Sequence, residues 1–274
     1  MPAIELITLA LVQGITEFLP ISSSGHLILV RDLFGWSQGP NAELILDVAV
    51  HVGTLGAVVL YFWRDVWRMT VGAIRLLTGR VDGDGRLALH IVVATIPVVI
   101  VGAIVNALGP DALRTPEIIG WTTLGYGIVL YGVDRACLTL RDMSHLTMGH
   151  AIIIGLAQVL ALVPGTSRSG ITMTAARALG YDRGEAARFS MLMSIPVIVA
   201  AGALQGLDLY ALDDTGLAGD VAAAALMALV AAFLAIGLLM RWLRHASFTP
   251  FVIYRLVLGI AILGLVYGGF FASA

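Results

Sequence analysis

The stretch Gln13-Gly14-Ile15-Thr16-Glu17-Phe18-Leu19-Pro20-Ile21-Ser22-Ser23-Ser24-Gly25-His26 interrupts an apolar segment with a proline, three serines and a glycine. A second stretch, LVPGTSRSGIT at 162 to 172, repeats the device. In each, a proline (Pro20, Pro164) precedes a serine pair that flanks one residue and ends in glycine: Ser22-Ser23-Ser24-Gly25 and Ser167-Arg168-Ser169-Gly170. The two glycines lie 145 positions apart in a chain of 274 residues, about half its length. Interrupted hydrophobic segments at matching positions of two halves point to a binding site inside a membrane, at the interface of two repeats.

The rest of the chain supplies the membrane. With 59% hydrophobic and 12% charged residues and a mean hydropathy of +0.94, it has too little polar surface to cover a soluble globule. It reads as one integral membrane domain over residues 1–274. All 16 basic residues are arginine and the net charge is −2, which gives nucleic acid no footing. The single cysteine, Cys137, excludes an intrachain disulfide and a Cys-rich metal framework. Residues 1 to 20 lack a basic start and carry Glu5 and Glu17, so this segment reads as retained and not as a cleaved signal.

Runs of roughly 20 apolar residues, enough to cross about 30 Å of hydrocarbon, predict six crossings. They lie near 44–63, 87–107, 118–135, 186–205, 219–240 and 250–271. The stretches 3–33 and 147–179 are broken at their middles, and each predicts a re-entrant helix hairpin, because broken backbone survives in a bilayer only where it is buried or lines a wet cavity. The expected fold is therefore all-α and polytopic, six transmembrane helices plus two re-entrant hairpins in an inverted-topology repeat, with repeat one at about 1–135 and repeat two at about 147–274. Twelve arginines fall in 64–86, 135–146, 177–188 and 241–249, which places these loops in the cytoplasm and both termini outside. Arg31, Arg114 and the acidic stretch Asp208, Asp213, Asp214 and Asp220 then lie outside. The first hairpin enters from the outside and the second from the cytoplasm, so that their polar tips meet within the membrane.

At each tip a serine tract opens a helix, and free N–H groups with a positive dipole end make an anion site. Ser22, Ser24, Gly25, Ser167, Ser169, Gly170 and Thr172 are the expected phosphate contacts. Arg168 adds a planar fork of donors suited to phosphate, and an unpaired arginine at mid-bilayer costs at least ~2.5 kcal/mol, so a bound anion is its expected partner. Glu17 lies four residues after Gln13 on one helix face. A carboxylate beside an anion site implies either a divalent cation, Mg²⁺ or Ca²⁺, or a general base. His26, in the first turn after Gly25, is within reach of a phosphate as acid, base or nucleophile. Ser23, between Glu17 and His26 in sequence, is a candidate nucleophile. Asp47 and His51 read as a structural i, i+4 pair, and Arg255 as a side chain that snorkels to the cytoplasmic edge.

At these residues the chain resembles the undecaprenyl-diphosphate phosphatase family, bacterial membrane enzymes also known as bacitracin-resistance proteins. The likeness spans nearly the whole chain. It rests on an (E/Q)xxxE segment running into FLPxSSxGH, here Gln13 to His26, and on PGxSRSGxT, here Pro164 to Thr172. Further similar stretches are DVAVHVGTLGAVVLYFWRD at 47–65, RFSMLMSIP at 188–196 and PFVIYR at 250–255. The resemblance implies hydrolysis of the C55 isoprenyl diphosphate to the monophosphate and inorganic phosphate, aided by a divalent cation, to recycle the lipid carrier of peptidoglycan synthesis. It also implies a multi-pass protein of the bacterial cytoplasmic membrane whose site opens to the periplasm, with Glu17, Ser23, His26 and Arg168 as the central catalytic residues. Gln13 stands where many members have glutamate; beside Glu17 its amide oxygen can still ligate the metal but brings no negative charge and no base. A homodimer is left open. The competing reading is a flippase for a polyprenyl phosphate, since inverted repeats with broken helices are transporter architecture; it needs the anion site but no nucleophile.

Overall fold

The computed structural model describes residues 2–36, 39–109, 113–210 and 218–270. Asp213 and Asp214 of the acidic stretch, and the last residue of the expected span 250–271, lie outside the described residues. Among the described residues eleven α-helices follow one another: α1 (Ala3–Thr16), α2 (Ser23–Phe34), α3 (Pro40–Tyr61), α4 (Trp63–Leu77), α5 (Gly83–Leu108), α6 (Pro116–Ala136), α7 (Met148–Gln158), α8 (Arg168–Ala178), α9 (Arg183–Tyr210), α10 (Ala218–Trp242) and α11 (Thr249–Tyr267). Among the described residues the one β feature is an isolated bridge between Arg141 and Tyr181.

Among the described residues five helices are long and apolar enough to cross a membrane: Glu43–Tyr61, Gly83–Leu108, Arg183–Ala203, Gly219–Trp242 and Thr249–Tyr267. The sixth expected crossing, 118–135, is helical as α6 but is not among the five. Its apolar content is diluted by Gly120, Gly125, Gly127 and Gly132, by Thr122 and Thr123, and by Tyr126 and Tyr131. The same small and polar residues let α6 pack closely along α11, one of the most extensive helix pairs in the molecule.

Both broken segments form pairs of short helices. α1 and α2 have 14 and 12 residues and α7 and α8 have 11 each, so none exceeds about 21 Å at 1.5 Å per residue, short of a ~30 Å core. The partners of each pair touch. Helix contacts also show an exchange symmetry: α1 on α10 is matched by α7 on α5, and α3 on α10 by α9 on α5, while α3–α9 and α6–α11 pair with each other. Close approach depends on small residues. A Cβ at Gly53 would lie 2.1 Å from the Ala225 carbonyl oxygen, and one at Gly155 2.4 Å from that of Ala94.

Residues 64–86, expected as a loop, contain the amphipathic helix α4, which leaves Trp63, Trp67, Ile74 and Leu77 exposed and packs on α5. Arg177, one of the arginines assigned to a cytoplasmic loop, is 1% exposed. Its Nε donates to Asp134 at 3.1 Å; Arg183 donates to the same oxygen at 2.8 Å, and the Phe248 amide to the other at 3.4 Å. One carboxylate thus ties α6, α8 and α9 to the start of α11.

Candidate active site

The two tips repeat one backbone device. Ser22 and Ser167 are the N-caps of α2 and α8, with φ of 74° and 72°. They are the two non-glycine residues with positive φ among the described residues. Such a conformation costs on the order of 1–3 kcal/mol, and it persists only where surrounding bonds enforce it. Here each cap hydroxyl accepts from the amide three residues on, Ser22 Oγ from Gly25 at 3.4 Å and Ser167 Oγ from Gly170 at 3.1 Å. The amides of Ser23, Ser24, Arg168 and Ser169 find no acceptor among the described residues, as expected of first-turn donors.

The tips are bonded to each other. The Gly165 amide donates to Ser22 Oγ at 3.1 Å, and Ser169 Oγ donates to the Leu19 carbonyl at 2.8 Å. Gly165 has φ of +88°, and a Cβ there would lie 2.1 Å from Thr122 Oγ1, so only glycine fits this contact with α6. Behind the tips sits Arg255, expected to snorkel but 1% exposed. Its guanidinium donates to the carbonyls of Pro20 (3.1 Å), Gly165 (3.0 Å), Thr122 (3.3 Å) and Thr123 (3.0 Å). It is held inside because irregular backbone at both breaks offers carbonyls that no helix satisfies.

In front of the tips lies a cavity of about 390 Å³ lined by Glu17, Ser23, Arg168, His51 and several other residues, with apolar walls from α3, α5 and α9 such as Val48, Val98 and Ile198. Glu17, the C-cap of α1, is its focus. Oε1 accepts from Arg168 Nη2 at 2.8 Å; Oε2 accepts from Ser23 Oγ at 2.6 Å and from Gln13 Nε2 at 3.0 Å. Arg168 also donates to the Ser190 carbonyl at 3.0 Å, and its guanidinium lies 5.8 Å from the Phe18 ring centre. Two halves of the chain thus place a hydroxyl, a carboxylate and a guanidinium on one cavity wall. The arrangement can polarise the Ser23 hydroxyl, receive its proton and hold an anion.

Other expected site residues sit differently. His26 does not line this cavity. Its Nδ1–H donates to the Ser22 carbonyl at 2.6 Å and its Nε2 lies 2.6 Å from the Tyr254 hydroxyl, which turns the ring toward α11. Thr172 is also off the cavity, because its hydroxyl bonds the Arg168 carbonyl at 2.8 Å and lies 2.7 Å from Ser190 Oγ. Ser169 is spent on Leu19 and Gly170 on the α8 cap. Ser24, with Oγ 3.5 Å from Ser22 Oγ, and Ser167 line the cavity, and Gly25 packs where the tips meet. Asp47 and His51 do not pair through side chains. Asp47 is bound by Arg31 at 2.6 and 3.2 Å, and His51 Nδ1–H donates to the Asp47 carbonyl at 2.6 Å. The contributions of Ser190, Tyr254 and Arg255 were hidden in the stretches RFSMLMSIP and PFVIYR, which carried a family likeness but no chemical pattern.

A larger groove of about 880 Å³, between α1, α10 and α11, is lined by aliphatic and aromatic side chains and no ionisable group, so it has no reactive chemistry. For a cation, the donor set is small but suitable. Gln13 Oε1 is buried without a hydrogen-bond partner, one helical turn from the Glu17 carboxylate. No group of three His, Cys, Asp or Glu converges among the described residues. Mg²⁺ and Ca²⁺ prefer oxygen donors, and Mg²⁺ in particular is commonly held by one or two carboxylates together with water and substrate phosphate, which Glu17 and Gln13 fit.

Residues 6–261 match the family model described as bacitracin resistance protein BacA. An undecaprenyl-diphosphatase of Ruegeria pomeroyi is 54% identical over 269 residues, 97% of this chain and 100% of that protein. One from Roseobacter denitrificans is 51% identical over 97% and 100%, and one from Hahella chejuensis 46% identical over 96% and 98%. The chain belongs to the bacitracin resistance protein BacA family.

Proposed function

We infer that this protein is a membrane phosphatase that hydrolyses undecaprenyl diphosphate to undecaprenyl phosphate and inorganic phosphate, and so recycles a lipid carrier for peptidoglycan synthesis. The observation that carries the reading is the Ser23 hydroxyl donating to Glu17 at 2.6 Å, with Arg168 on the other carboxylate oxygen at 2.8 Å, in a cavity whose remaining walls are apolar. The apolar walls suit the isoprenyl part of the substrate, and the polar wall suits its diphosphate.

The terminal phosphate is seated against Arg168 and the first-turn amides of α2 and α8. Glu17 accepts the Ser23 proton as Oγ attacks phosphorus, and undecaprenyl phosphate leaves. Arg168 balances charge that builds on the phosphoryl oxygens. Water then cleaves the Ser23 phosphoester. His26 acts by holding Ser22 in its strained cap and not by touching phosphate. A divalent cation bound by Glu17 and Gln13 Oε1 would neutralise diphosphate charge when present.

The setting belongs to the same reading: six crossings, with α6 as the sixth, and two re-entrant hairpins in inverted repeats. It is supported by the exchange symmetry of the helix contacts and by the half-length helices at both breaks. The arginine distribution supports a periplasmic opening in the bacterial cytoplasmic membrane. A flippase would need the anion site but not the contact between Ser23 and Glu17. Release of phosphate from an isoprenyl diphosphate by purified protein in detergent, with and without EDTA, decides between them; binding without any phosphate release would refute hydrolysis.

A further inference from the structure

The imidazole that faces the reaction is not the one supplied by the serine motif. His26 is turned toward Tyr254, whereas His51 of α3 lines the same cavity as Glu17, Ser23 and Arg168. Its orientation is set by two contacts. Nδ1–H donates to the Asp47 carbonyl at 2.6 Å, and that turn of α3 is fixed by the ion pair from Asp47 to Arg31 of α2. Because a carbonyl only accepts, Nδ1 carries the proton, and in the neutral ring the lone pair is on Nε2. No partner for Nε2 is found among the described residues, and the atom is not enclosed in the core. An acceptor nitrogen is a poor ligand for a phosphate dianion. It is a good acceptor for a proton of water.

We propose that His51 is the general base of the dephosphorylation step, a proposal that rests on the phosphatase reading above. His51 Nε2 takes one proton of a water molecule whose oxygen bonds to phosphorus. The bond between phosphorus and Ser23 Oγ breaks, and Oγ recovers the proton that Glu17 accepted in the first step. Inorganic phosphate leaves, and the imidazolium passes its proton to solvent. Two bases thus serve two half-reactions, Glu17 for the serine and His51 for the water, in one cavity. The division explains how a single carboxylate suffices, since Glu17 is already protonated when water must be activated.

The experiment follows undecaprenyl diphosphate carrying labelled terminal phosphate through rapid quench with purified parent, His51→Gln and His51→Asn proteins. Both replacements keep a polar side chain with an N–H for the Asp47 carbonyl but remove the base, and melting temperature in detergent reports whether each variant folds. The expected result is a fall in steady-state turnover of about 10²- to 10⁴-fold, the usual worth of a general base. An initial burst of lipid monophosphate should remain, with label on the protein that disappears when Ser23→Ala is added. Turnover within about threefold of the parent in either folded variant, well under the loss of a transition-state interaction, overturns the proposal. So does a slow variant with no burst and no labelled serine. Absence of phosphate release by the parent itself would instead bring down the phosphatase reading on which the proposal stands.

Discussion

Replacing Arg168 by lysine separates the charge at this position from the fork that carries it. A guanidinium has five N–H donors and an ammonium three. In the structure one donor is used on the Ser190 carbonyl at 3.0 Å and one on Glu17 at 2.8 Å, so arginine keeps three for a bound phosphate. Lysine that made both contacts would keep one. Loss of a single charge-assisted hydrogen bond to phosphate is worth about 1.5–3 kcal/mol, or about 10- to 150-fold in kcat/KM. The ion pair to Glu17 survives in Arg168→Lys, so the fold should persist. In Arg168→Ala the buried Glu17 loses its counter-charge, and stability should fall by about 3–5 kcal/mol. Phosphate release from an isoprenyl diphosphate, measured beside the melting temperature of each purified variant, reads both effects. A lysine variant with the parent's turnover would refute the fork. A lysine variant as unstable as the alanine variant would show that the guanidinium is there to hold Ser190 and Glu17 together.

Glu17→Gln should abolish hydrolysis, since it removes the acceptor 2.6 Å from Ser23, whereas Gln13→Glu should be tolerated and strengthen activation by Mg²⁺ or Ca²⁺; full activity in Glu17→Gln with unchanged cation response would contradict both roles. In a Cys137→Ser background, an impermeant maleimide applied to intact cells should label Leu108→Cys and spare Thr78→Cys, both of which are exposed; the reverse pattern would invert the protein. Asp142, fully exposed in the connection between α6 and α7, is held below its ordinary value of 3.8 by hydrogen bonds from the Ser144 hydroxyl and amide and from His145. Because the folded value is depressed, its contribution to stability is complete above that pH and is lost as pH falls through the lower folded value, so melting temperature should drop more steeply below pH ~4 in the parent than in Asp142→Asn.

Helices and breaks were legible because the bilayer imposes them. A run of roughly 20 apolar residues has few readings, and a proline followed by serines and glycine inside such a run cannot continue a helix. Glu17, Ser23 and Arg168 stood out because hydroxyl and charge are costly at that depth. What sequence could not provide was direction. His26 and His51 are both single imidazoles on apolar helices; only the ring's partners, the Tyr254 hydroxyl in one case and the Asp47 carbonyl in the other, decide which one faces the cavity. Arg255 was misplaced for a related reason. Snorkelling is the default of a lone arginine near a helix end, and the carbonyls that hold it come from Pro20, Thr122, Thr123 and Gly165, ninety or more residues away. α6, read from the sequence as a crossing, is not among the five long apolar helices because its helix–helix contact is made by glycine and threonine, residues that lower hydropathy while raising packing.

The offset of 145 residues also pairs the two broken segments position by position. It superposes Ser22 on Ser167, Ser24 on Ser169, Gly25 on Gly170 and Gln13 on Gln158. These matched residues do matched work: both cap serines adopt positive φ and accept from a glycine amide, and both glutamines are buried with Oε1 lacking a partner. The residues proposed to react break the match. Ser23 falls on Arg168, Glu17 on Leu162 and His26 on Ile171. Repetition therefore supplies two helix ends aimed at one point, a geometry that neither half makes alone. Divergence at these positions puts Ser23 and Glu17, the proposed nucleophile and its base, on one half and Arg168, the proposed phosphate fork, on the other. Arg168 of one tip bonds Glu17 of the other, so the proposed catalysis would be tied to the register that Ser22, Gly165, Ser169 and Leu19 maintain.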